Sequence, residues 1–129
     1  MSQTGPRFEQ LIGLPPAKGY THFSAIWVDP ADVIRPGYVT DIDAQMQNAF
    51  AEASPVDDFS KWYSGWFNGN IIWSYFDSAY PWTRLGYTYD WADNESEYGL
   101  SEFLILPDSK ATVAFTLPTE EFVSWLGAQ

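Results

Sequence analysis

The stretch YPWTRLGYTYDWADNESEYGLSE, residues 80–102, sets the main expectation for the fold of this chain. Strand-forming side chains recur over residues 84–91, and successive side chains of a strand point to opposite faces. The alternation gives one aromatic face and one polar face, formed respectively by Leu85, Tyr87, Tyr89 and Trp91 and by Arg84, Gly86, Thr88 and Asp90. We expect the rings to pack mainly into a core and the polar face to hold candidate functional groups.

Glu102 interrupts an apolar row directly after this stretch. In GLSEFLIL, residues 99–106, a strand alternation places Glu102 on one face with Leu100 and Leu104. Desolvation raises the pKa of a carboxyl group. Such a residue therefore needs a hydrogen-bond donor such as Arg84, or it has a functional role. The alternatives are an edge-strand glutamate that reaches solvent and a catalytic or ligand-orienting carboxylate.

The rest of the chain predicts an α+β fold. Periodicity and turn signals predict a mainly antiparallel sheet of about five strands, with helices packed on one face. The expected elements are a strand over 20–28, helices over 40–53 and from Asp57 or Asp58, strands over 71–76 and 84–91, a hairpin of 99–106 with 110–117, and a helix from Thr119. Residues 1–19 are expected to be an irregular N-terminal arm, and residues 20–129 a single α+β domain.

Composition limits the classes of partner. The 129 residues include 17 acidic and 6 basic side chains, for a formal net charge of −11. This charge disfavours an extended nucleic acid and leaves a small nucleotide substrate or a basic protein partner. We expect no membrane contact and no cofactor, because no long apolar run and no phosphate-binding motif occur. A soluble protein is expected, cytoplasmic or exported without a cleavable signal peptide.

Polar groups near the aromatic stretch could carry chemistry. Arg84 and Asp90 share the polar face and could hold an anion or pair internally. The acidic residues 90–97 offer oxygen ligands without the spacing and glycine of an EF-hand, so a solvated loop is favoured over a calcium site and no metal is expected. With one histidine and no cysteine, nucleophilic triads and thiolate metal sites are disfavoured.

Three segments carry a family resemblance. PGYVTDI at 36–42, YPWTRLGYTYDW at 80–91 and YGLSEFLI at 98–105 resemble the C-terminal enzyme modules of bacterial polymorphic and contact-delivered toxins. The resemblance implies a compact hydrolase that attacks a nucleotide, NAD or RNA, and the acidic charge favours NAD. It points to Arg84, Asp90 and Glu102 as catalytic residues. It adds Tyr87 and Arg35 as ligand contacts, and stacking on the substrate ring is expected from Tyr89 or Trp91.

Two other functions fit the same sequence. The first is an acidic immunity or binding protein that occludes a basic protein partner, with aromatic residues as the main contacts. The second is a carbohydrate- or peptide-binding module that uses exposed tryptophan and tyrosine. Burial separates these hypotheses: buried rings beside a cleft containing Glu102 favour an enzyme, and rings exposed on a flat face favour binding.

Overall fold

The computed structural model describes residues 4–15, 19–52, 54–77 and 81–129. Within these residues, three α-helices and six short strands form an α+β fold, as the sequence predicts. Their bounds are α1 Thr4–Leu11, β1 His22–Val28, β2 Val33–Ile34, α2 Asp58–Ile72, β3 Tyr87–Tyr89, β4 Tyr98–Ser101, β5 Leu104–Ile105, β6 Ala111–Pro118 and α3 Thr119–Gly127. A 3₁₀ turn, Pro30–Asp32, precedes β2, and a π-helical turn, Trp73–Asp77, extends α2.

The strands pair antiparallel, in three two-stranded ladders rather than one sheet of five strands. β1 pairs with β6, β2 with β5, and β3 with β4. The β1–β6 ladder is the longest and contains one register shift, between Ala25 and Ile26. The core and the candidate site lie around the two shorter ladders, because the buried Ile34 belongs to β2 and the cavity described below is lined by β3.

The predicted hairpin of residues 99–106 with 110–117 is wrong. Residues 98–105 divide into β4 and β5, which pair with β3 and β2, while β6 pairs with β1. One backbone conformation and one contact accompany this division: Asp108 is left-handed with φ 65°, and the Leu106 N–H donates to the Asp32 carbonyl at 2.9 Å. The residue that follows β5 is therefore bonded to the residue that precedes β2, and β5 does not pair with β6.

The predicted helix start at Asp57 is confirmed. The Asp57 carboxylate accepts a hydrogen bond from the Ser60 N–H at 2.7 Å, and the Ser60 hydroxyl accepts one from the Asp57 N–H at 3.0 Å. This reciprocal capping box satisfies two backbone donors that a helix start leaves without partners.

The predicted strand over 71–76 is wrong, because α2 runs to Ile72 and its π-helical turn covers Trp73–Asp77. A glycine in a helix costs about 1 kcal/mol relative to alanine. Burial of a large apolar side chain contributes about 2 kcal/mol, and α2 buries Tyr63 and Phe67 on one side. Apart from the adjoining backbone of α2, no atom of the described residues would lie within 4 Å of a Cβ at Gly69, so its place in the helix requires no close approach.

The helix predicted over residues 40–53 is also wrong, since residues 40–52 are irregular. The Asp41 carboxylate accepts from the Asp43 N–H at 2.8 Å, a local bond that competes with helix formation. Arg35 Nη1 donates to the Ala44 carbonyl at 2.8 Å. Phe50 packs on Tyr38 and on Phe67 with ring centroids 5.2 and 4.8 Å apart, so tertiary contacts override the helical pattern.

The N-terminal segment contains a helix where an irregular arm was expected. Phe8 of α1 packs on Phe23 of β1 at 4.6 Å and on Phe122 of α3 at 6.1 Å. This packing stabilises a helix of eight residues, which is marginal in isolation. The helix predicted from Thr119 is confirmed as α3. That residues 20–129 form one domain stays a prediction.

The buried core is small and aromatic. Its buried side chains are Ile34, Tyr63, Phe67 and Trp82. Many other large apolar side chains are exposed, and Trp27 and Phe76 are 73% and 80% exposed. Among the described helices, none is long and apolar enough to cross a membrane.

Candidate functional site

A cavity of about 350 Å³ lies beside the core. One wall comes from residues 12–15, which follow α1, and a second from the C-terminal part of α2 and its π-helical turn. Residues 81–83, strand β3 and residues 102–104 form most of the remaining lining, to which Tyr20 and Pro36 also contribute. Residues of the segments 80–91 and 98–105, which carry the family resemblance, therefore line the same cavity as residues 12–15. The sequence predicted an irregular arm for these N-terminal residues.

Glu102 lines this cavity at the break between β4 and β5. Its backbone N–H donates to the Gly86 carbonyl at 2.9 Å, which fixes the position of the residue beside β3. The side chain is largely removed from solvent, and Oε1 is buried with no hydrogen-bond partner among the described residues. A buried acceptor without a partner carries a desolvation cost. A bound proton or a ligand that donates to Glu102 would remove this cost.

Burial raises the pKa of Glu102 to about 7, while a hydrogen bond from the Trp82 side chain acts in the opposite direction. The carboxyl group therefore exchanges its proton near neutral pH. A group with this property can act as a general acid or base, and in its ionised form it can stabilise a positive charge.

Trp82 positions Glu102. Its indole is 7% exposed, and it packs edge-to-face on Trp66 with ring centroids 5.5 Å apart. Phe67 contacts it from a second direction at 4.9 Å. The ring that donates to Glu102 is therefore part of the core and has little freedom to turn away. Sequence reasoning missed Trp82, although this residue lies within the aromatic stretch of residues 80–102.

Tyr87 and Tyr89, predicted as ligand contacts, both line the cavity with Glu102. Burial raises the pKa of the Tyr87 hydroxyl, and the neighbouring Tyr98 and Glu97 add to the rise. The Tyr87 ring also packs on Tyr98 with centroids 4.9 Å apart. Both tyrosines are partly buried, so they combine packing with a face open to the cavity.

Arg84 lies outside the cavity lining and makes no ion pair with Glu102. It adopts a left-handed conformation, with φ 61°. Thr83 Oγ1 donates to the Tyr87 carbonyl at 2.6 Å and accepts from the Leu85 N–H at 3.2 Å, which closes a turn over these residues. The strand predicted over residues 84–91 is therefore reduced to Tyr87–Tyr89. The Arg84 guanidinium lies 5.9 Å from the centre of the Tyr75 ring, and within the described part of the chain its buried Nε has no hydrogen-bond partner.

Asp90 is also outside this cavity and is paired with Arg7 of α1. Arg7 donates to both carboxylate oxygens, at 3.1 and 2.8 Å. These bonds hold the pKa of Asp90 below its usual range, and the Ala92 N–H adds a third bond at 3.1 Å. Asp90 therefore anchors the N-terminal segment, and the structure does not bring it together with Glu102. Sequence reasoning missed Arg7 because a distance of 83 residues separates the partners.

Trp91 and Arg35 likewise join segments of the chain. Trp91 Nε1 donates to the Leu14 carbonyl at 2.7 Å, which fixes the wall formed by residues 12–15. The Arg35 side chain lies against Gly86, where a Cβ would come within 3.1 Å of Nε. Neither residue lines the cavity, so the structure places these two predicted ligand contacts around the site and not within it.

No group of three or more His, Asp or Glu side chains within residues 4–15, 19–52, 54–77 and 81–129 is placed to share a metal ion. Asp90, Glu95 and Glu97 of the acidic segment line a separate, open depression. In comparisons with known proteins, no family model, curated protein or solved structure matches the chain.

Proposed function

We propose that this chain is a small toxin-like effector enzyme that cleaves the N-glycosidic bond of NAD or a related nucleotide, with Glu102 as its central carboxylate. The observation that carries the proposal is the position of Glu102. Its carboxyl group lies in an aromatic-lined cavity, one buried oxygen has no hydrogen-bond partner among the residues that the structure describes, and its pKa is raised to about 7.

The chemistry requires a negative charge beside the sugar. When the bond between the ribose C1′ and the nicotinamide nitrogen breaks, its electron pair goes to the nicotinamide ring, and positive charge develops on the ribose. The ionised Glu102 would stabilise that charge electrostatically. Water then adds to C1′ and loses a proton, so NAD⁺ and water give ADP-ribose, nicotinamide and H⁺. Of the site residues predicted from the sequence, Glu102, Tyr87 and Tyr89 line the cavity.

The test is release of nicotinamide from NAD by the purified chain at pH 8. Glu102→Gln removes the charge and keeps the shape of the side chain, so turnover should fall at least about a hundredfold. Glu95→Gln is the matched control, because Glu95 is exposed in the acidic loop outside the cavity. Absence of turnover by the unmodified chain, or equal turnover by Glu102→Gln, would remove the proposal.

A second candidate function, an acidic protein that occludes a basic partner, is favoured by a different observation. Trp27 and Phe76 are 73% and 80% exposed, and the net charge is −11. Exposed aromatic side chains on an acidic protein are suited to bind a cationic protein surface. A basic partner should then associate more slowly as salt concentration rises. An association rate that does not change with salt would exclude this electrostatic mode.

A further inference from the structure

The cavity has an unusual charge balance. Among the described residues that line it, Glu102 is the only acidic side chain, and there is no arginine, lysine or histidine. Phosphate groups are bound in proteins by arginine, lysine, backbone N–H clusters or metal ions. The described lining has none of these cationic side chains, so it is poorly suited to bind phosphate. The Glu102 carboxylate, in contrast, can attract a positively charged ligand.

Indole rings form a large part of the same lining. Trp66 and Trp73 come from α2 and its π-helical turn, and Trp82 lies beside Glu102. Tryptophan is the side chain that attracts a cation most strongly through its ring face. The attraction grows where water is excluded, and Trp82 is buried. The rings and the carboxylate therefore favour the same class of ligand, which is planar and positively charged.

The size of the cavity limits how much of a nucleotide it can hold. Its volume of about 350 Å³ lies at the lower end of the range of roughly 300–1,000 Å³ that is typical of small-molecule sites. A ring with its attached sugar fits that space better than a complete dinucleotide. The phosphates of such a substrate would lie outside the cavity.

We propose that this cavity is a binding site for an N-substituted aromatic cation of the pyridinium class, held between the tryptophan rings and the Glu102 carboxylate. The inference rests on the proposed function for the identity of the site, and it names the part of the substrate that the site recognises. Recognition does not require phosphate, so a pyridinium cation without any phosphate binds.

Proton exchange at Glu102 controls this binding. The other titratable groups that line the cavity are the hydroxyls of Tyr20, Tyr87 and Tyr89, and burial raises the pKa of the Tyr87 hydroxyl. Arg35 and Arg84 lie near the backbone of Gly86 but outside the lining. Because burial raises the pKa of Glu102 to about 7, affinity for the cation rises between pH 6 and pH 8.

Two ligands of almost the same shape test the proposal. N1-methylnicotinamide is a cation, and nicotinamide is its neutral counterpart. Isothermal titration calorimetry at pH 8 should show at least about tenfold tighter binding of the cation. The preference should fall in Glu102→Gln at pH 8 and in the unmodified chain at pH 5.5, and it should persist in Glu95→Gln.

Exposed tryptophans provide a second, independent pair of variants. Trp73 lines the cavity and Trp27 does not, and they are 54% and 73% exposed. Trp73→Ala should weaken binding of the cation severalfold, whereas Trp27→Ala should leave it unchanged. This pair keeps the proposal testable even if Glu102→Gln does not fold.

The outcomes separate this inference from the proposed function. Cation binding without turnover of NAD would refute the glycohydrolase and leave the cation site standing. Turnover of NAD with equal affinity for the two nicotinamide ligands would overturn the cation site and leave the enzyme standing. The cation site would also be overturned if neither ligand bound, or if the preference for the cation persisted in Glu102→Gln.

Discussion

Replacement of Glu102 by glutamine should stabilise the fold at high pH and not at low pH. The pKa of Glu102 is raised from 4.5 to about 7, a difference that is worth about 3 kcal/mol at about 1.4 kcal/mol per pH unit. In the folded state the carboxyl group binds its proton more tightly than in the unfolded state. Its contribution to stability is therefore fully present below about pH 4.5 and is lost as pH rises through about 7.

Glutamine cannot ionise, so the variant avoids this loss. Urea unfolding at pH 8 should show Glu102→Gln more stable than the unmodified chain by up to about 3 kcal/mol, with a difference near zero at pH 4. Glu95→Gln should show no such dependence, because Glu95 is exposed. If the stability difference between Glu102→Gln and the unmodified chain were the same at pH 4 and pH 8, the burial argument would be refuted.

Three further perturbations test the parts of the structure that hold the site. Asp90→Asn weakens the ion pair with the half-exposed Arg7 and should cost about 1–3 kcal/mol in urea unfolding; an unchanged midpoint would mean that the pair contributes nothing. Trp82→Phe keeps a ring in the core but removes the indole N–H, so the pKa of Glu102 should rise above about 7. An NMR titration that shows no rise would exclude a role for the hydrogen bond from Trp82. Asp57→Ala removes the capping box of α2 and should lower the urea midpoint of unfolding, whereas an unchanged midpoint would show that solvent replaces the cap.

Local signals gave correct predictions at Asp57 and at Glu102. The cap at Asp57 depends on two hydrogen bonds to Ser60, only three residues away. The odd position of Glu102 in an apolar row was likewise visible in the sequence, and the structure places this side chain in the cavity lining. Both signals lie within a few residues of the feature they predict.

Long-range contacts decided the features that the sequence did not reveal. The pairing of Arg7 with Asp90 joins residues 83 positions apart, and no periodicity records such a contact. The irregular path of residues 40–52 depends on Arg35 bonding to Ala44 and on Phe50 packing against α2. Each of these contacts overrides a local propensity that is worth only a few tenths of a kcal/mol per residue.

The aromatic stretch illustrates both cases. Tyr87 and Tyr89 line the cavity, whereas Trp91 bonds to the Leu14 carbonyl and holds the N-terminal wall. The alternation of a strand predicts a common face for these rings, but β3 contains only Tyr87–Tyr89. The turn formed by Thr83 and the positive φ of Arg84 and Gly86 end the regular alternation before it reaches Arg84.

The central claim is that Glu102 is a carboxylate that ionises near neutral pH inside a cavity for a cationic ring. NMR titration of the Glu102 side-chain carboxyl carbon, with and without N1-methylnicotinamide, tests it most directly. The structure predicts a midpoint at about 7 in the free chain and a lower midpoint with the cation bound, because a nearby positive charge favours the ionised form. A midpoint near the ordinary value of 4.5 that does not move on addition of the cation would contradict the claim.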